Sequence, residues 1–279
     1  NQACRGSLLE LYERPHTSTD QYLRDFGFSE NMRDQFFRSF IGGVFLDETL
    51  SVSSRMLEFV FRMFSLGSIA VPADGMAAIP RQLAEHLPRG SIELQSSVVA
   101  LDGTRVILAN GASLSARQVV VATESNAAAR LLGLTQMTTS WNPTTTLYYT
   151  SARCSQKHRN LMLRGDEAGP IQTATILSNV ASEYAPDFQS LISVTLGPND
   201  ALASEDLEPL IRQQLRGWFG DEVSQWNLLQ TYQIPYALPK TDIDPVLRTP
   251  TITGLENTYI CGDHMETPSI EGAMNSGIR

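Results

Sequence analysis

Apolar positions in the first quarter of the chain recur at helical spacing. Thr19 or Asp20 would cap a short helix carrying Tyr22, Leu23 and Phe26, with Gly27 closing it. Ser29 would open a second helix with Met32, Phe36 and Phe40 on one face. A third runs from about Ser53 to Phe64, with Met56, Val60 and Phe64 aligned. Past the Asp74-Gly75 turn signal, Pro80 suits the first turn of a helix reaching about Leu87. The period then changes. Ile92 to Leu101, Arg105 to Leu108 and Gln118 to Ala122 read as strands, the second ended by the turn Asn110-Gly111. The run Val119-Val120-Val121 predicts a strand buried on both faces, as in a parallel sheet. A helix over residues 127–132 ends at Gly133.

The middle of the chain is mostly β. Thr144 to Thr150, Ile171 to Asn179, Leu191 to Leu196 and Leu228 to Tyr236 combine Thr and Tyr with aliphatic residues and predict strands. One helix interrupts them, capped by Ser204. It carries Leu207, Leu210, Ile211, Leu215, Trp218 and Phe219 as an apolar stripe up to Gly220. The last block is a short apolar strand, TYICGD, then the loop HMETP, then SIEGAMNSGIR, a helix with Gly272 in its first turn. Together these elements predict a mixed α/β fold.

Composition narrows the function. With 279 residues, 42% of them hydrophobic, the chain can bury a sizeable core in one large or two ordinary domains. Its formal charge of -9 leaves no basic surface to neutralise phosphates, so a nucleic-acid partner is not expected. Cys4, Cys154 and Cys261 form no paired framework and no zinc spacing, which fits a reducing compartment. The expected location is the cytoplasm, or a plastid for a plant protein. His16, His86, His158 and His264 are isolated in sequence and read as surface or core histidines. No apolar run is long enough to span a bilayer, and no signal peptide is evident. The opening NQACRGSLLELYERP reads as mid-protein sequence, so an N-terminal segment of the same protein is an expected partner.

The sharpest chemical signal lies at the C-terminus. A strand ends in Gly262-Asp263, and Glu271-Gly272-Ala273 opens a helix with Ser276-Gly277 in its next turn. A carboxylate at a strand end accepts hydrogen bonds from sugar-alcohol hydroxyls. A helix N-terminus favours negative charge. Glycine at 272 would let a flat ring approach the backbone. This block resembles the flavin-proximal motif of FAD-dependent amine oxidases, phytoene desaturases and protoporphyrinogen oxidases. The preceding series has the order seen in that family: Gly75-Met76, Ile79-Pro80, Leu83-Ala84, Val98, Val120 to Thr123, Leu131-Leu132-Gly133. The resemblance is dense in residues 65 to 135 and 255 to 279.

The resemblance implies FAD as cofactor. It implies that Val98 touches the adenine side, and that Ala122 and Thr123 lie near the phosphates. Gly262 and Asp263 would hold the ribityl or pyrophosphate portion, and the first helical turn, Glu271, Gly272, Ala273 and Met274, would face the ring. It also implies a remnant of a Rossmann-like FAD domain (residues 71–135 and 251–279). The substrate domain would be interleaved with it (1–70 and 136–250) and hold a mixed sheet and helices. The family's Gly-x-Gly-x-x-Gly loop is absent from this sequence. Hydride transfer to flavin N5 is the implied reaction, from an apolar, conjugated or amine substrate. Phe36, Phe40, Phe59, Phe64, Tyr148, Tyr232 and Tyr236 would line its chamber. The Met- and Phe-rich helices have two other readings: ordinary core packing, or a lid making peripheral membrane contact. Lys240, in PYALPKTD, stands either where some amine oxidases place a lysine near N5 or as a solvated loop lysine. The alternative function is a non-catalytic binder on this scaffold without flavin, as in Rab GDP-dissociation inhibitors.

Overall fold

The computed structural model describes residues 8–152, 154–200, 207–240 and 255–278. Cys4 and the expected helix cap Ser204 lie outside them. In chain order the helices are α1 (Leu8–Glu13), α2 (Thr19–Asp25), α3 (Glu30–Met32), α4 (Arg38–Phe45), α5 (Ser54–Leu66), α6 (Ala78–Glu85), α7 (Ser125–Leu132), α8 (Leu177–Val180), α9 (Glu208–Phe219) and α10 (Ile270–Ile278). The strands are β1 (Val98–Asp102), β2 (Arg105–Leu108), β3 (Ser113–Ser115), β4 (Val119–Val121), β5 (Trp141–Ser151), β6 (Met162–Leu163), β7 (Ile171–Ile176), β8 (Ser190–Leu196), β9 (Asn227–Pro239) and β10 (Thr258–Ile260). They divide between two compact units, residues 1–82 with 142–237, and residues 83–141 with 238–279.

In the first unit, serines start the helices. Ser18, Ser29 and Ser53 accept from the amides of Gln21, Met32 and Arg55. The expected cap at Thr19 or Asp20 moves back to Ser18 for a reason. The buried Thr19 hydroxyl donates to the Val52 carbonyl at 2.8 Å, and Asp20 gathers Arg24, Arg33 and Arg38 at 2.7, 3.1 and 3.0 Å. The next helix changes phase where Arg33 and Arg38 meet Asp20. A π-helical turn over Arg33–Phe37 joins α3 to α4, and the buried column is Arg33, Phe37, Ile41 and Phe45. The expected face Met32, Phe36, Phe40 is instead partly exposed.

The five-stranded sheet of this unit has the order β6-β7-β8-β5-β9. β8 runs antiparallel to both β5 and β7, with Tyr148 opposite Ser193 and Ser193 opposite Thr175. Alternation then separates two faces. Leu147, Tyr149, Ile192, Val194, Ala174 and Ile176 pack with Ile211, Leu215 and Phe219 of α9. Each of those α9 side chains contributes about 2 kcal/mol by burial. The opposite face carries Tyr148, Thr146, Thr195 and Thr173, and α4 lies on it at β7, with Gly43 against Thr173. The strand expected to reach Asn179 stops at Ile176, where the chain turns into α8.

The second unit holds an antiparallel sheet, β1-β2-β3, and a parallel pair, β10-β4. Strand β1 starts at Val98 rather than Ile92, and β3 was not foreseen. The turn closes as expected, with Gly111 at φ 84° and the Asn110 side chain accepting from the Ala112 amide. Val121, Ala128, Ile260 and Met265 form the core, with Val119, Leu101 and Leu131 against it. Val120 departs from the expectation of burial on both faces. It is 59% exposed, because within this unit the core covers only the side of the pair that Val121 faces. Among the described residues no helix is long and apolar enough to cross a membrane.

Candidate functional site

Parallel pairing fixes the geometry of the C-terminal block. Thr258, Tyr259 and Ile260 stand opposite Val119, Val120 and Val121, and the Cys261 amide donates to the Val121 carbonyl at 3.1 Å. Both strands therefore release the chain in the same direction. Ala122-Thr123 and Gly262-Asp263 emerge side by side at one carboxyl edge, where open α/β sheets bind ligands. Val98 is not part of this edge. It is an exposed residue at the start of β1, paired with Leu108 in the other sheet of the unit.

The two exits are built differently. After β4, the Glu124 carboxylate accepts from the amides of Asn126 and Ala127, both at 2.6 Å, and caps α7. After β10, Gly262 adopts φ 151°, and a Cβ there would meet the His264 ring at 2.6 Å. The Gly262 amide donates to the buried Ser276 hydroxyl at 3.2 Å, which ties the edge to α10. The Asp263 side chain is 27% exposed. The His264 Nδ1 atom is 3.8 Å from it, beyond hydrogen-bond range. Among the described residues no donor engages this carboxylate, so it keeps its accepting capacity for a ligand.

The opening of α10 is pinned by Ser269. The Gly272 amide donates to Ser269 Oγ at 2.9 Å and the Ala273 amide to the Ser269 carbonyl at 2.9 Å. These donors serve the helix itself. Gly272 is buried, and a Cβ on it would collide with the backbone carbonyl of Thr267. The residue is therefore glycine because the chain folds back on it, a reason that needs no ring. Glu271 and Met274 are exposed and Ala273 is half-buried.

In the first unit the expected chamber residues fall into two groups. Phe36, Phe40 and Phe64 belong to a closed circuit with Phe37 and Phe61. Successive centroids lie 5.2, 5.4, 5.6, 6.3 and 6.2 Å apart from Phe37 through Phe36, Phe40, Phe64 and Phe61 back to Phe37. Such spacing gives each ring about 1 kcal/mol beyond area burial, so these rings first pack the helices together. Phe59 is half-buried. Tyr148 and Tyr232 meet edge to face at 5.9 Å, on the sheet face that also bears α4. Tyr232 and Tyr236 are each 52% exposed. Lys240 is exposed, and its amide donates to the Ser140 carbonyl.

The described thiols are poor nucleophiles. Burial, reinforced by a hydrogen bond to Glu222, pushes Cys154 up to about 11, and burial raises Cys261. Sequence reasoning missed His264, whose isolation in the chain gave no signal. Its side chain is 1% exposed, and neither ring nitrogen has a hydrogen-bond partner.

Solved structures that share this fold include three from different organisms. An oxidoreductase from Methanosarcina mazei is 16% identical with a TM-score of 0.71, and the match covers 97% of this chain and 69% of that one. A protein from Pyrococcus furiosus is 13% identical (TM-score 0.67), with coverages of 99% and 70%. Cyclohexylamine oxidase from Brevibacterium oxydans is 15% identical (TM-score 0.61), with coverages of 94% and 65%. No curated protein matches in sequence. The family described as flavin-containing amine oxidoreductases matches residues 7–279, and the chain belongs to that family.

Proposed function

We propose that the protein carrying this chain is an FAD-dependent oxidoreductase that removes a hydride from an apolar, conjugated or amine substrate. The parallel register of β4 and β10 carries the reading, because it sets Ala122-Thr123 beside Gly262-Asp263 at one carboxyl edge. The edge fits a flavin nucleotide: a part-exposed carboxylate that no described donor engages, beside the positive end of α10. Asp263 would accept from hydroxyls of the ribityl portion. FAD, when bound, supplies the hydride acceptor. The Tyr148–Tyr232 pair would orient an apolar substrate and exclude water. No Gly-x-Gly-x-x-Gly loop occurs in these residues.

The visible spectrum of the purified full-length protein tests this. Bands near roughly 380 and 450 nm, as for an oxidised flavin, are expected, and Asp263→Ala should lower flavin content. No flavin bands after FAD is added would sink the proposal and favour a non-catalytic binder on the same scaffold.

A further inference from the structure

We infer that His264 is a positioning residue: its Nδ1–H holds the Asp263 carboxylate in the orientation that accepts a hydroxyl of the flavin nucleotide. The inference rests on the reading of Asp263 as flavin-facing. Three observations lead to it. The imidazole is buried to 1% side-chain exposure, yet neither nitrogen is hydrogen-bonded. A neutral ring carries one donor and one acceptor, and leaving both unmade in the interior forfeits their hydration without return. The Asp263 Oδ1 atom is 3.8 Å from Nδ1, so a carboxylate rotation that closes about 1 Å makes the bond. Finally, Gly262 leaves the ring its place: any side chain there would meet Cε1 at 2.6 Å and Nδ1 at 2.7 Å.

These features form a chain of support. Ser276 Oγ holds the Gly262 amide, the ring packs over Gly262, and Nδ1 stands beside the carboxylate. A carboxylate with one fixed oxygen presents the other in a defined direction, as residues behind a ligand commonly do. His264 itself is too enclosed to touch a ligand, so it acts through Asp263.

The test titrates FAD into the flavin-free full-length protein and reads Kd from flavin fluorescence. His264→Leu should weaken binding about tenfold, the size of one hydrogen bond to a charged group. His264→Asn, whose Nδ2–H stands near the lost Nδ1–H, should recover most of it. In an Asp263→Ala background, His264→Leu should add nothing. Unchanged affinity in His264→Leu, or an equal loss in both backgrounds, overturns the inference while leaving the role of Asp263 intact. Unchanged affinity in Asp263→Ala removes the reading of Asp263 and the inference with it. Imidazole 15N spectra give a readout independent of folding in the leucine variant. An Nδ1-protonated ring that loses its preference in Asp263→Ala supports the inference, and an unaffected ring overturns it.

Discussion

Gly272→Ala separates two reasons for one glycine. If glycine serves only to let a ring approach, alanine weakens flavin binding and leaves the flavin-free protein as stable as before. The structure gives another reason. A Cβ at 272 collides with the Thr267 carbonyl and would lie 2.7 Å from the Thr267 hydroxyl. The first obstacle is backbone in a turn pinned by the Ser269 cap, so it cannot swing aside as a side chain would. Overpacking of this kind costs about 3 kcal/mol. Alanine recovers about 1 kcal/mol through its better helix propensity. The net loss is about 2 kcal/mol, or roughly 4–8 °C in Tm for a protein of this size. Calorimetry on the flavin-free protein measures it directly. A Tm equal to that of the wild type would refute the packing argument and return the glycine to the ligand.

Four further outcomes follow from the first unit. Leu215→Ala should cost about 3 kcal/mol by denaturant unfolding, since Leu215 is fully buried between α9 and the sheet. Burial, together with a 2.7 Å hydrogen bond to Glu58, raises Tyr22 to about 12. The folded state thus favours the protonated phenol, its contribution is complete below pH 10 or so, and it fades as pH rises towards about 12. Ultraviolet titration should show one late tyrosine that Tyr22→Phe abolishes. Burial alone would raise Asp47, but hydrogen bonds from Ser51 and Thr49 outweigh it and hold the carboxyl low. Its contribution is therefore present above the ordinary value near 3.8 and lost as pH falls below it. The stability gap between wild type and Asp47→Asn should narrow as pH falls below about 4. Tyr232→Ala should raise KM for an apolar substrate about tenfold through loss of the Tyr148 contact and its own apolar area. An unchanged KM places the substrate elsewhere.

The elements most legible in the sequence are those whose burial repeats locally. α9 announces itself through Ile211, Leu215 and Phe219 one turn apart, and β8 through alternate burial of Ser190, Ile192, Val194 and Leu196. Helix starts were nearly as plain, since a serine within three residues of its amide is a local event. What escaped depends on partners distant in sequence. The π-turn coincides with Asp20 holding Arg33 and Arg38, which lie 13 and 18 residues further on, and no periodicity within the helix reveals that pairing. Ser18 caps α2 while Thr19 is claimed by Val52, 33 residues further along the chain.

The candidate site shows the same division, with a difference in kind. Gly262 and Asp263 were readable as a strand end followed by a carboxylate, and the parallel register with β4 places Thr123 beside them. The meaning of each glycine was not readable. Gly262 and Gly272 both lack a side chain for reasons internal to the chain, one to seat His264 and one to pass Thr267. A motif in which the glycines are fixed by packing and only the carboxylate is left without a donor assigns recognition to Asp263 and architecture to its neighbours. Substitutions should then sort accordingly: changes at 262 and 272 should lower stability with or without flavin, whereas Asp263→Ala should act chiefly on flavin affinity. Stability loss and affinity loss that fail to separate in this way would show that the turn and the ligand are held by the same atoms.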